Sequence, residues 1–204
     1  MNSSKWFAPV LPYLAVWAGL YIFKNVWITL LGFHASMLIV LLIARPGIPV
    51  KVLFRTKHYT WTRRSAAACA GIGIAIYYLR SFLGVAGDLA SQLEALGLNH
   101  STWPAFIAYF SIANPLIEEY FWRAYLGSEV EGFYPGDALY AGYHALALLG
   151  KVHPFTIFFA VSSLAFVGWL WRRIYREDGG LLVPVLGHMA ADFTIMFSVF
   201  LITR

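Results

Sequence analysis

The stretch "NPLIEEYFWRAYL", residues 114–126, sets two adjacent carboxylates, Glu118 and Glu119, and one guanidinium, Arg123, in an otherwise apolar and aromatic run. Working outward, the rest of the 204-residue chain is 60% hydrophobic and 12% charged, where a soluble domain averages about 25% charged. Aromatic residues reach 18%, with 8 Trp and 12 Tyr. A soluble protein of this composition would expose large apolar patches. The apolar runs are long and unbroken, not the alternating strands of about ten residues that build an outer-membrane barrel. The composition therefore predicts an all-α, polytopic transmembrane helical bundle, folded as a single integral-membrane domain over residues 1–204.

A spanning helix needs roughly 20 mostly apolar residues. Seven segments qualify as expected spans: 6–23, 26–44, 65–87, 104–127, 137–152, 153–171 and 181–203. The fifth is short, and Pro154 in "KVHP" separates it from the sixth. The N-terminal run, with one Lys and no small-residue cleavage site, reads as a retained helix and not a signal peptide. The single cysteine, Cys69 in "SAAACAGIGIAIYYL", excludes an intramolecular disulfide and reads as a buried thiol in a helix interior. The N-x-S patterns at Asn2 and Asn99 read as chance. No internal repeat, low-complexity segment or phosphate-binding loop is present.

Lys and Arg set the direction. "RPGIPVKVLFRTKHYTWTRR" supplies Arg45, Lys51, Arg55, Lys57, Arg63 and Arg64, and "WRRIYRED" supplies Arg172, Arg173 and Arg176. With seven spans both segments share a side with Lys5 and the end of the fourth span, near Arg123. Eleven cations lie there, against Lys24, Lys151 and Arg204 on the other side. The N-terminus is predicted cytoplasmic and the C-terminus external. The net charge of +5 calls for anionic lipid headgroups as partners and for no nucleic acid.

Ionisable residues inside spans are costly and mark function by default. They are Glu118, Glu119 and Arg123 on the fourth span, His144 on the fifth, and His188 and Asp192 on the seventh. His34 and Arg80 stand alone, read as a structural hydrogen-bonder and as a snorkelling boundary residue. At 1.5 Å per residue the paired groups lie roughly 10–17 Å below the cytoplasmic surface, so three helices place them in one layer. Glu119 and Arg123, four apart, share a face and can form an ion pair. Glu118 points about 100° away and is left available in a low-dielectric site, which suits general-base work. His188 and Asp192 are also four apart. Asp192 can orient the imidazole, or both can bind a metal.

The three groups resemble, in order and spacing, the signatures of the CPBP family, the CAAX proteases and bacteriocin-processing enzymes also called the Abi family. "EEYFWR" is similar to E-E-x-x-x-R. "YAGYH" is similar to F-x-x-x-H, with Tyr140 in place of Phe. "HMAAD" is similar to H-x-x-x-N or H-x-x-x-D, and "EDGGLLVPVLGH" is similar to the family's lead into that signature. The resemblance covers about residues 104–203. It implies an intramembrane endopeptidase similar to the Ras-converting CAAX prenyl protease, acting on a membrane-embedded or lipidated protein or peptide, in a bacterial or archaeal cell membrane. It gives Glu118 the activation of water, Glu119 and Arg123 the holding of the site, His144 the positioning of water or the oxyanion, and His188 with Asp192 the oxyanion-side dipole.

Asp192, where Asn is more usual, adds charge and favours a metal-ligand reading. The family has been read as glutamate peptidases, which need no cofactor, and as metalloproteases. In the latter case a divalent ion such as zinc would use Glu118, His144, His188 and Asp192. The alternative from another class is a non-enzymatic scaffold or bacteriocin-immunity factor whose polar layer holds helices together. Ion transport is a third reading, weakened by the lack of repeat symmetry and paired broken helices.

Overall fold

A computed structural model describes Lys5 and residues 7–204; the Asn2 pattern lies outside the described residues. Every regular element among them is helical. In chain order these are α1 (Val10–Trp17, continued by a π turn over Ala18–Ile22), α2 (Val26–Ala44), α3 (Tyr59–Leu79), α4 (Leu89–Ala95), α5 (Trp103–Glu119, continued by a π segment over Tyr120–Tyr125), α6 (Pro135–Leu148), α7 (Pro154–Asp178) and α8 (Leu182–Ile202). A 3₁₀ turn over Val50–Phe54 lies between α2 and α3.

Local chemistry sets the boundaries. Asn25 caps α2 by accepting from the Trp27 and Ile28 amides at 2.9 and 3.0 Å. Pro154 sits in the first turn of α7, and Gly179, at φ 71°, closes its end. Several expected boundaries differ from the structure. α3 starts at Tyr59, six residues before the expected span, because helical hydrogen bonding continues through Arg63 and Arg64 after the lipid-compatible run stops. α7 likewise runs seven residues beyond 171 to Asp178. Residues 80–87 form turns, and Arg80 sits just past α3, its guanidinium on the Tyr77 carbonyl at 2.8 Å. The short α4 was not foreseen. It buries Leu89 and Leu93 against Val26, Leu30, Trp103 and Phe106.

Contacts between helices give their directions. Tyr13 and Tyr21 bond the carbonyls of Leu139 and Leu146, so α1 and α6 run parallel. Trp27 packs on Phe106 while His34 reaches Asn114, so α2 and α5 run parallel. Ser65 faces Gly187 and Gly73 faces Thr194, so α3 and α8 run parallel. Asn114 meets Asp192 and Trp103 meets Phe200, so α5 opposes α8. Asp137 meets Arg172 and Tyr140 meets Gly168, so α6 opposes α7. The seven longer helices therefore alternate in direction. One end of the bundle gathers Lys5, bonded to the Tyr125 carbonyl at 3.0 Å, with the 45–64 segment and the end of α7. Lys24, Arg80, Lys151 and Arg204 lie at the other.

Helices α2, α7 and α8 are long and apolar enough to cross a membrane. Large apolar side chains face outward around the bundle, among them Leu42, Ile43, Tyr78, Phe82, Phe158 and Phe166. In water such a surface would aggregate, and the chain is a membrane protein. The other expected spans fall short in length or apolarity: α1 and α6 are short, α3 opens on charge, and α5 carries the site. α3 and α8 approach closely through small residues. A Cβ on Gly73 would collide with the Thr194 backbone, and one on Gly187 with the Ser65 hydroxyl. Ser198 then donates to the Gly73 carbonyl at 2.8 Å, a small-residue and hydroxyl contact suited to helices in lipid.

Candidate active site

The site is built on α5, α6 and α8. Pro115 lies inside α5 and removes the N–H that would otherwise bond one turn back. One turn later the helix widens into the π segment, where Leu126 donates to the Phe121 carbonyl at 2.9 Å. Such widenings often accompany functional sites. Here the segment buries Phe121, Trp122, Arg123 and Tyr125 together. The chain can then turn at Gly127, where a Cβ would strike the Arg123 carbonyl.

Glu118 and Glu119 are both 0% exposed. Both Glu118 oxygens accept from the Tyr143 hydroxyl, at 2.7 and 2.8 Å. Glu118 is thus not left free, as its direction on the helix suggested; a phenol from α6 holds it. Glu119 lies between a guanidinium and an imidazole. Its Oε2 is 3.4 Å from Arg123 Nε, an ion pair without hydrogen-bond alignment, and its Oε1 is 2.8 Å from His188 Nδ1. The expected Glu119–Arg123 pair therefore exists, but the closer contact is to His188. The Arg123 guanidinium carbon lies over the Tyr140 ring, 3.9 Å from its centroid, a cation–π contact worth about 2 kcal/mol when desolvated. Gly168 leaves the room for it, since a Cβ there would press on Tyr140 and Arg123.

His144 stacks on Tyr143, with ring centroids 4.1 Å apart, and its Nδ1 is 3.2 Å from the Ala141 carbonyl. Tyr140 stands edge-on to both imidazoles, at 5.8 Å from His144 and 6.4 Å from His188. The six motif residues are therefore brought into one layer, tied together by Tyr140 and Tyr143. His144 is partly exposed; the other five are buried.

His188 Nε2 faces Asp192 Oδ1 at 3.5 Å. Asp192 Oδ2 accepts from Asn114 Nδ2 at 3.0 Å, Asn114 Oδ1 is 3.0 Å from His34 Nε2, and His34 Nδ1 is 3.0 Å from the Tyr109 hydroxyl. His34, expected to stand alone, is joined to the site. Asn114, Tyr143 and Tyr109 were not singled out from the sequence. The available signals were that Asn114 precedes Glu118 by one turn and that Tyr143 adjoins His144.

Among the described residues no three His, Cys, Asp or Glu side chains gather as metal ligands. Both nitrogens of His188 face carboxylates and both oxygens of Glu118 face a hydroxyl. As arranged, Glu118, His144, His188 and Asp192 do not fit a zinc ion, which needs lone pairs converging on one point.

Residues 100–194 match a protein-family model described as Rce1-like, type II CAAX prenyl endopeptidase Rce1-like. All six motif residues, with Asn114, Tyr140 and Tyr143, fall inside that range. No curated protein and no solved structure matches the chain.

Proposed function

We propose, from the likeness of residues 100–194 to the Rce1-like model of type II CAAX prenyl endopeptidases, that this chain is a multi-pass intramembrane endopeptidase of that family. It hydrolyses a peptide bond in a lipidated, CAAX-like or membrane-embedded protein, using water activated by Glu118. The observation that carries this reading is the meeting of a fully buried Glu118 with His144 and His188 around two tyrosine rings. A scaffold gains nothing from a buried carboxylate without a counter-ion in direct contact, which costs several kcal/mol in a membrane.

In the reaction, the water oxygen attacks the scissile carbonyl carbon as Glu118 takes a proton from the water. Tyr143 holds the carboxylate toward that water. The oxyanion forms beside the imidazoles, where prepositioned donors act most strongly. His188, held between Glu119 and Asp192, lends its ring dipole from the buried side and not a free N–H. His144, at the partly exposed edge, meets water and substrate on entry. The proton on Glu118 passes to the amide nitrogen as the C–N bond breaks, giving a carboxylate and an amine. Arg123 fixes Glu119, and the reaction needs no resident metal.

The basic end of the bundle is cytoplasmic, so the N-terminus is inside and the C-terminus outside. A reporter fused after Arg204 that is active only in the cytoplasm overturns this orientation. For the activity, purified protein is given a farnesylated CAAX peptide. Glu118→Gln keeps the shape and removes the base, so cleavage should fall at least about a hundredfold with the fold intact. Cleavage by Glu118→Gln at the wild-type rate ends the proposal.

A further inference from the structure

We infer that His34 and Asn114 are positioning residues for the hydrolysis proposed above, holding Asp192 and through it His188; the inference rests on that reading of the site. The observation is a directional chain of hydrogen bonds across three helices. The Tyr109 hydroxyl meets His34 Nδ1, His34 Nε2 meets Asn114 Oδ1, and Asn114 Nδ2 meets Asp192 Oδ2, each at 3.0 Å. His34 and Asn114 are each 2% exposed, and the two bonds from His34 to Asn114 and from Asn114 to Asp192 are buried.

The chain has a sense. A neutral imidazole has one N–H and one lone pair. With Tyr109 donating to Nδ1, the N–H sits on Nε2 and points at the Asn114 oxygen. The Asn114 amide is then turned so that its NH₂ faces Asp192. An amide turned the other way would present its oxygen to a carboxylate oxygen, which repels. Asn114 thus ties Oδ2 of Asp192, and the remaining oxygen, Oδ1, is the one that faces His188 Nε2.

Mere gluing of helices explains a polar contact between α2 and α5. It does not require that the contact end on the carboxylate that faces His188. The same geometry gives Asp192 its use in this chain. Asp192 accepts from Asn114 on one side and faces the imidazole on the other, a role with two acceptor oxygens that an amide fills less well.

The test uses the full-length protein in nanodiscs, with wild type, Asn114→Leu, His34→Leu, His34→Gln, Asp192→Ala and the double variant Asn114→Leu/Asp192→Ala. Cleavage of the farnesylated peptide should show kcat lowered about tenfold to a hundredfold in Asn114→Leu, the range of a lost hydrogen bond to a charged group, with KM within about twofold. The double variant should be no slower than Asp192→Ala alone. His34→Gln, whose amide N–H can reach Asn114, should recover most of what His34→Leu loses.

Additive losses, or a His34→Gln no better than His34→Leu, overturn the inference. The ¹⁵N resonances of the His188 ring, read without substrate, should move in Asn114→Leu and in His34→Leu and return in His34→Gln; resonances that stay put overturn it as well. Glu118→Gln runs alongside. A wild type that does not cleave, or a Glu118→Gln that does, ends the hydrolysis reading, while the ring resonances still decide the positioning. If Asn114→Leu does not fold, the two His34 variants carry the comparison alone.

Discussion

Two buried arginines pair with carboxylates in this protein, and they are held in opposite ways. Arg172, 2% exposed, takes Asp137 with both arms, Nε to Oδ1 at 2.9 Å and NH2 to Oδ2 at 2.8 Å, and also donates to the carbonyls of Ser128, Val130 and Gly132. Every branch of its fork is used. Arg123, 1% exposed, stands 3.4 Å from Glu119, and its Nε and NH2 meet no hydrogen-bond acceptor. It rests on a ring face instead. The first arrangement ties the α5–α6 loop to α7 and tolerates no other geometry. The second leaves one carboxylate shared between a guanidinium and an imidazole, so charge in the site can be redistributed without breaking a fork. The satisfied pair reads as structural, and the unsatisfied one lies beside Glu118, the base of the proposed reaction.

The largest effect should separate the two in stability. Arg172→Ala strands the buried Asp137 carboxylate and three carbonyls, and breaking such a pair costs about 3–5 kcal/mol. Arg123→Ala should cost less, at or below the bottom of that range, because Glu119 keeps His188 at 2.8 Å. Thermal unfolding in detergent checks the order, and equal losses would erase the distinction. Activity should reverse it: Arg123→Ala should cleave more poorly than its remaining fold accounts for, while Arg172→Ala should lose activity only in step with folded protein.

Neither arrangement could be told from the sequence alone. Glu119 and Arg123 announce themselves by their spacing of four, and the motif order on three apolar helices brought Glu118, His144, His188 and Asp192 to one depth. The alternation of helix direction and the basic end were legible because hydropathy and Lys/Arg bias act on whole segments. Arg172 was read as one of several loop cations, since nothing local shows that Asp137, 35 residues earlier, would meet it. The same blindness hid Tyr143 and Asn114. Polar partners across helices depend on helix rotation, and in a buried helix the hydrophobic pattern that would reveal rotation is nearly uniform. α4 was missed for a different reason: at seven residues it is too short for a periodic signal.

A middle-sized effect tests the hold on Glu118. Tyr143→Phe removes the hydroxyl and keeps the ring that stacks on His144. Losing one hydrogen bond to a charged acceptor is worth about 1.5–3 kcal/mol. Cleavage should therefore drop about tenfold or more, with the stacked imidazole still in place and thermal stability lowered as well, since the buried Glu118 carboxylate loses the hydroxyl that bonds it. A Tyr143→Phe protein with wild-type kcat would mean that Glu118 finds its orientation from substrate or water, and the contrast between a clamped and a loosely held region would have to be redrawn around Arg123 alone.

The smallest expected effects concern two chemistries that the proposed reaction does without. Cys69 packs against the core cluster that includes Tyr140, Tyr143 and Trp171, which raises a thiol nucleophile as a rival. No imidazole bonds it, however: His144 is at the Ala141 carbonyl and His188 is committed to Glu119 and Asp192. A thiol without a base nearby is not activated. Cys69→Ala should keep cleavage within about twofold of wild type, since removing one small side chain at a partly buried position changes stability little. Chelator should be equally mild, because both oxygens of Glu118 accept from Tyr143 and both nitrogens of His188 face carboxylates. The two treatments together make one test, with cleavage measured in Cys69→Ala before and after dialysis against chelator. A large loss on the first step moves the reaction to sulfur, and a large loss on the second leaves Glu118 as base but gives His144, His188 and Asp192 to a metal.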